Sequence, residues 1–303
     1  MITEDNEVVD IIVNVLDNLT SESGDTGSFE INLTTEPLSD VFIELTSTNE
    51  LEGVLSTSVI SFNATNWNIP QVVTITGVDD DPPVSDGAAD YIIVTGNVSS
   101  TDDNYGLLDG STVDDVNMSN QDNDSPGIIL TVLNDDFSTS ESGDYVVVQF
   151  SLLSKPDGGE SVTIPLSLVG PANEMDLSAD SITILADNWD NPSSNVVTIT
   201  GIDELFADGN QELILITGDP TSVSPFYDAI GADDVSNPTL TNEDDDLAQI
   251  VFNLSDNVSE NRTSSILSVS LTSAINTDVI LNFTVVDDTE LKIDLIQLIF
   301  TNF

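Results

Sequence analysis

The chain has no cysteine and no histidine, and only three basic residues in 303: Lys155, Arg262 and Lys292. Each absence closes a class of function. Without Cys there is no disulfide scaffold and no thiolate nucleophile. Without His as well, no ordinary zinc site and no Ser-His-Asp triad can be assembled. Three cations stand against 55 acids, a formal charge of −52. Such a chain repels phosphate, so neither nucleic acid nor an anionic membrane surface is an expected partner. No apolar run approaches the ~18 residues that span a bilayer. The opening Met1-Ile2-Thr3-Glu4-Asp5-Asn6 does not read as a signal peptide, so secretion would need a signal upstream. A hard-cation site built from oxygen ligands remains open.

The acidity is not that of a disordered tail. Apolar residues make up 39% of the chain and charged residues 19%, enough aliphatic surface to build a core. Val, Ile, Leu and Thr favour strands. The length suggests two to three domains.

Internal repetition organises the rest. Thr20-Ser21-Glu22-Ser23-Gly24-Asp25 recurs letter for letter as Thr139-Ser140-Glu141-Ser142-Gly143-Asp144, 119 residues on, and Ser259-Glu260 stands a further 119 residues on. Val72-Val73-Thr74-Ile75-Thr76-Gly77 recurs at 196–201, Asn66-Trp67 at 188–189, and Asn120-Gln121-Asp122-Asn123-Asp124 more loosely at 242–246. The expected layout is a repeat at 10–124, a second at 125–246 and a shortened third at 247–303. Residues 1–9 are expected to be the tail of a preceding repeat in a longer array.

Within each repeat apolar residues alternate with polar ones, the signature of half-buried strands. Phe29, Ile31 and Leu33 match Val148, Phe150 and Leu152, then Leu267, Val269 and Leu271. Val41, Ile43 and Leu45 match Val162, Ile164 and Leu166, then Val279, Leu281 and Phe283. Pro165 takes an outward slot of its strand, which therefore lies at or near a sheet edge. About seven short strands per repeat, with no helical periodicity, predict an all-β fold: immunoglobulin-like antiparallel β-sandwiches in series. Trp67 and Trp189, with no second Trp beside either, read as core-rim packing residues.

Successive strands of such a sandwich run up and down, so four acidic segments fall at one end of each repeat. In the first repeat they hold Glu22, Glu52, the run Asp79-Asp80-Asp81 with Asp86, and Asp122 with Asp124. In the second they hold Glu141, Glu174, Asp203-Glu204 with Asp208, and Asp244 to Asp246. Carboxylates crowded within ~4–6 Å raise one another's pKa or take up a cation. Calcium suits them better than magnesium, because it accepts six to eight oxygens in flexible geometry. The bland alternative is a set of solvated loop acids; recurrence at one register argues against it.

The run Ser-Glu-Ser-Gly-Asp, then Asn-Trp, then Val-Thr-Ile-Thr-Gly-Val-Asp-Asp, then a closing Asp-Asn-Asp, resembles Calx-β domains. Tandem arrays in bacterial surface and adhesin-like proteins are the nearest match, and the resemblance spans residues 10–303. It implies calcium binding by Glu22, Asp79, Asp80, Asp122 and Asp124, and by Glu141, Asp203, Glu204, Asp244 and Asp246. Glu52 and Glu174 join on the geometric argument alone. Asn123 departs from the pattern in the first closing cluster, and Glu204 stands in the place of Asp80. In the third repeat Glu260 and Glu290 are present, and the later acids are not.

Other signals carry less. Ten Asn-x-Ser/Thr sequons arise readily in a chain rich in those residues. Paired carboxylates serve glycoside hydrolysis, but acids that recur in every repeat suit structure better than one catalytic cleft, so no enzymatic activity is expected. Pro82-Pro83 and Asn191-Pro192 read as loop punctuation. The expected function is a calcium-stiffened extracellular stalk or filament segment at a cell surface. Its expected partners are calcium ions, neighbouring repeats of the same polypeptide, and further copies in a homopolymer. The alternatives are a self-assembling filament subunit with modules packed or completed between chains, and a glycan-binding or phage-fibre module.

Overall fold

Alternating strands need a second sheet to cover their apolar face, and the chain supplies one twice. The computed structural model describes residues 8–259, 261 and 264–301. The first sandwich contains β1 (Ile11–Asp17), β2 (Leu19–Ser21), β3 (Thr26–Leu33), β4 (Val41–Ser47), β5 (Gly53–Leu55), β6 (Val59–Phe62), β7 (Gln71–Gly77), β8 (Val84–Ser85), β9 (Ala89–Ser100) and β10 (Val116–Gln121). One sheet runs β1-β3-β7-β5, and the facing sheet runs β2-β10-β9-β4-β6. Phe29, Ile31, Leu33, Val73 and Ile75 from the first sheet meet Val41, Ile43, Phe62, Ile93 and Val116 from the second, all buried in one cluster.

The second sandwich repeats this plan. It contains β11 (Ile128–Val132), β12 (Ser138–Ser140), β13 (Tyr145–Leu152), β14 (Lys155–Pro156), β15 (Val162–Val169), β16 (Met175–Leu177), β17 (Ser181–Ile184), β18 (Val196–Gly201), β19 (Gln211–Thr217), β20 (Thr221–Ser222), the single helical turn α1 (Pro225–Asp228) and β21 (Thr239–Glu243). Its sheets run β11-β13-β18-β16 and β12-β21-β19-β15-β17. Val148, Phe150, Leu152, Val162, Ile164 and Leu166 are buried together, as the alternation predicts. Trp67 and Trp189 are half-buried against their cores, and their carbonyls accept the Leu33 and Leu152 N–H groups at 2.9 and 2.8 Å. Pro165 is exposed and pairs with Ser181 of the edge strand β17.

The strand count exceeds the seven read from the sequence, because segments of two or three residues are too short to show a period. The first strand of each repeat also changes sheets. β1 pairs antiparallel with β3, whereas β2 pairs in parallel with β10; β11 and β12 do the same with β13 and β21. That switch brings the start of each repeat beside its end.

The remaining strands are β22 (Ile250–Leu254), β23 (Leu267–Leu271), β24 (Val279–Asn282) and β25 (Gln297–Phe300). They form two hairpin ladders, β22-β23 and β24-β25. Ile250 pairs with Leu271 as Ile11 pairs with Leu33 and Ile128 with Leu152. Val279 pairs with Phe300 as Val41 pairs with Phe62. The six side chains expected to face inward here are not buried: Leu267 is 41% exposed and the other five are half-buried. The tail residues 1–7 and Glu260 lie outside the described residues; Glu290 is exposed in a turn.

Candidate metal centre

The parallel β2–β10 and β12–β21 ladders place an early glutamate beside the closing acids. Glu22 N–H donates to the Gln121 carbonyl at 3.0 Å, and Glu141 N–H donates to that of Glu243 at 3.1 Å. In return, Asn123 N–H donates to Glu22 Oε2 at 3.0 Å and Asp245 N–H to Glu141 Oε2 at 3.4 Å. Behind each glutamate a buried asparagine ties three loops together. Asn120 Oδ1 accepts from Thr20 Oγ1, and its Nδ2 donates to the Val78 carbonyl and to Glu52 Oε2. Asn242 makes the same three bonds to Thr139, Ile202 and Glu174. Gly77 and Gly201 permit this approach. A Cβ on either would collide with the Ser21 or Ser140 carbonyl and come within 2.5 or 2.6 Å of the asparagine Oδ1.

The long loop after β7 and its counterpart after β18 are pinned from the other side. Gly87 N–H donates to Asp122 Oδ2 at 2.7 Å, and Gly209 N–H to Asp244 Oδ2 at 2.6 Å. Asp124 N–H and Asp246 N–H close turns on Asp122 Oδ1 and Asp244 Oδ1 at 2.6 and 2.8 Å.

The carboxylates thus gathered form four sets, each with oxygens within 4.8 Å of one another: Glu22, Asp122 and Asp124; Glu22, Asp80 and Asp86; Glu141, Asp203 and Asp245; Glu141, Glu204 and Asp208. Of the twelve residues expected to serve calcium, seven are in these sets. Five others stand beside them. Glu52 and Glu174 bind the buried asparagines, Asp79 accepts a 3.2 Å bond from Asn123 Nδ2, and Asp244 and Asp246 form the closing turn. Asp86, Asp208 and Asp245 enter the sets although the resemblance did not single them out. The signal for the first two was an Asp-Gly pair whose Gly takes a positive φ, +81° at Gly87 and +82° at Gly209.

Besides Glu204 in the place of Asp80, the two ends differ at Asn123. The first sandwich has Asn123 hydrogen-bonded to Asp79, where the second has Asp245 and Asp203 as two carboxylates in one set.

Electrostatics mark the same residues. Burial, with help from Asp122, Asp80 and Asp124, pushes Glu22 up to about 7 against the pull of the Asn123 N–H. Burial does the same to Glu141, up to about 7, with Asp244, Glu204 and Asp245 adding to it. Asp86 rises to about 6 through burial, then Asp80 and Asp122. Burial and neighbouring acids also raise Asp80, Asp124, Glu204 and Asp246.

The donor set fits a hard cation. Asp86 Oδ1, Asp124 Oδ2, Glu141 Oε1 and Asp246 Oδ2 are buried with no hydrogen-bond partner. Glu22 and Glu141 are only 6% and 1% exposed. Oxygens spread over less than 5 Å match a single ion with metal–oxygen distances of about 2.3–2.6 Å.

The loops carrying these acids also reach the next sandwich. β8 pairs in parallel with β14, Val84 with Lys155 and Ser85 with Pro156. Lys155 N–H donates to the Pro83 carbonyl at 2.8 Å, and the Phe226 ring lies against Gly87. Pro82-Pro83 is therefore more than punctuation: the Pro83 carbonyl accepts across the junction. The second loop repeats the contact, with Phe206 bridged to Ala274 and Ala274 N–H donating to the Leu205 carbonyl.

No protein-family model matches the chain, and no curated protein matches it by sequence. Among solved structures, it is similar to the calcium binding domain CBD12 of CALX1.1 at 12% identity and a TM-score of 0.29, covering 77% of this chain and 99% of that one. It is similar to the D0-D1 domain of intimin at 10% identity and 0.24, covering 77% and 97%. It is also similar to domains 4 and 5 of the S-layer protein SbsC at 9% identity and 0.26, covering 78% and 98%. Superpositions this loose do not bear on the function of the chain.

Proposed function

We propose that the chain is a calcium-stiffened spacer, a segment of an extracellular stalk or filament. In this reading 10–124, 125–246 and 247–303 are successive modules, and 1–9 is the tail of another. Calcium binds at the end of each complete module. Glu22, Asp80, Asp86, Asp122 and Asp124 hold it in the first, and Glu141, Asp203, Glu204, Asp208 and Asp245 in the second. Glu52, Asp79, Glu174, Asp244 and Asp246 orient those ligands or complete the shell. The ion supplies the positive charge that the buried oxygens lack. The chain's own residues fix the loops, exclude water behind Asn120 and Asn242, and hand the loop on to the next module.

The observation that carries the reading is the recurrence of buried, unpartnered carboxylate oxygens on loops that touch the following sandwich. Without the cation, mutual repulsion loosens those loops; with it, the junction is fixed. Rigid modules in series serve to project or to build, and the acids take no catalytic role. Extracellular calcium sites work at about 0.1–1 mM, and salt screens the remaining charge. The test is thermal unfolding of the chain in millimolar calcium and in chelator. A marked, chelator-reversible rise in midpoint is expected by mass action on the folded state, and identical midpoints would sink the metal reading.

The exposed apolar side chains of β22 to β25 favour a second reading, a filament subunit whose last strands are covered by another chain. Sedimentation of the chain at rising concentration separates the two: a concentration-independent monomer excludes the second.

A further inference from the structure

The inter-sandwich contact has two halves, a projecting loop whose carbonyl accepts and an edge whose N–H donates, and the edge occurs three times. Leu152-Leu153-Ser154-Lys155-Pro156 follows β13, Leu271-Thr272-Ser273-Ala274-Ile275 runs on from β23, and Leu33-Thr34-Thr35-Glu36-Pro37 follows β3. In the first two, the fourth residue donates its backbone N–H to a carbonyl of the preceding sandwich: Lys155 to Pro83, and Ala274 to Leu205. Glu36 is the third such residue. Its N–H has no partner among the described residues, and its side chain is exposed.

The first sandwich nonetheless builds this edge as the second does. Tyr105 is buried, and its hydroxyl donates to the Thr35 carbonyl at 2.9 Å and accepts from Thr35 N–H at 3.1 Å. Tyr227 clasps Ser154 in the same two ways, at 2.5 and 3.3 Å. Pro37 is buried, as is Pro156. Near the clasp, Leu38 and Leu107 are 89% and 81% exposed. The edge is therefore pre-shaped, with apolar surface beside it and, at its centre, a backbone donor that has no partner among the described residues.

From this we infer that the Thr35–Pro37 edge is a docking strand for the loop after β7 of one more module of the same kind, joined in series ahead of Val8. The occupant is set by the two filled copies, in which the partner is always a loop with a free carbonyl followed by an Asp-Gly pair. Both such loops in this chain are already engaged. A two-residue ladder is too small to hold separate molecules, so the partner must be tethered; in the filled junction only residues 122–127 separate β10 from β11, and a short tether supplies a high effective concentration. The inference rests on the serial reading of the chain but not on calcium.

The test replaces residues 1–7 with a further copy of residues 125–246 joined directly ahead of Val8 in the otherwise full chain. Backbone amide exchange at Glu36 is read by NMR with and without the extension, in calcium and in chelator. In calcium the extension should slow Glu36 exchange at least ~100-fold. Because the chain has no Cys, a Phe206→Cys change in the added copy with Glu36→Cys should form one disulfide on oxidation, as the control pair Val84→Cys with Lys155→Cys should in the original chain; parallel partners lie within disulfide reach. Unchanged Glu36 exchange, or no cross-link where the control pair links, overturns the inference. Glu36 protection in the unextended chain that grows with protein concentration overturns it too, because the occupant is then a second copy. Glu36 protection that is indifferent to chelator leaves this inference standing and removes the calcium reading.

Discussion

Neutralising Glu141 should have opposite effects with and without calcium. The glutamate is 1% exposed, one oxygen accepts from Asp245 N–H and the other has no partner. Glu141→Gln keeps an acceptor for that N–H and removes a charge lying within 4.8 Å of Asp203 and Asp245. Burial and those neighbours raise the carboxyl from 4.5 to about 7. At about 1.4 kcal/mol per pKa unit, the ionised form costs roughly 3 kcal/mol at most. The set opens toward solvent, and screening reduces that to about 1–2 kcal/mol. In chelator at pH 8, Glu141→Gln should therefore stabilise the second sandwich by about 1–2 kcal/mol, or roughly 4–8 °C for a domain of this size. In calcium the variant lacks a ligand and forfeits most of a stabilisation worth about 2.7 kcal/mol at a hundredfold excess over Kd. Urea unfolding followed by a tryptophan signal assigned to Trp189 reads both arms, so the two curves should cross. A variant less stable than the parent by the same amount in calcium and in chelator would refute the reasoning and leave Glu141 a structural residue.

Three further outcomes follow from the same geometry. Glu22, Asp86 and Glu141 have folded-state pKa values raised to about 7, 6 and 7. The folded, calcium-free chain thus holds protons that the unfolded chain releases above pH ~4.5, and its urea midpoint should fall as pH rises from 4.5 to 7. With saturating calcium the midpoint should stay level or rise over that window. Asn123→Asp supplies the carboxylate that the second sandwich has at Asp245, so calorimetry should show several-fold tighter calcium binding in the first sandwich; Asp245→Asn should weaken the second. Asn120→Ala leaves the Val78 carbonyl and the Thr20 hydroxyl without their shared partner, which should cost about 2 kcal/mol in urea unfolding whether or not calcium is present.

The core was readable because burial imposes a period. Phe29, Ile31, Leu33, Val148, Phe150 and Leu152 alternate with polar residues, and all six are buried. The same pattern in 267–283 predicted inward positions that are half-buried or exposed in the described hairpins. Alternation fixes which side of a strand is apolar, not what covers it. Pairing partners were harder. The parallel β2–β10 ladder joins residues about 100 apart in sequence, and three-residue strands carry no period.

At the site, the repeated Glu-Ser-Gly-Asp run pointed to Glu22 and Glu141, and the runs after β7 and β18 to Asp80, Asp203 and Glu204. Asp86 sits six residues beyond Asp80 and Asp208 four beyond Glu204 along those loops. Their loops return to the cluster because Gly87 and Gly209 turn back onto Asp122 and Asp244. The role of Asp245 emerges only beside Asn123, since one substitution exchanges a hydrogen bond for a carboxylate pair. The strand pairing between sandwiches, β8 with β14, was hidden behind Pro82-Pro83, whose composition speaks for a loop and is silent about what the loop touches.

The central claim is that calcium fixes one sandwich relative to the next. Ser61→Cys and Ser181→Cys place spin labels on exposed positions of the edge strands β6 and β17, and the absence of other cysteines makes the labelling unambiguous. Pulsed electron resonance between the two should give one narrow distance in millimolar calcium and a broad distribution in chelator, restored when calcium is returned. A distribution of the same width in both conditions, in a sample that demonstrably binds calcium, would contradict the account.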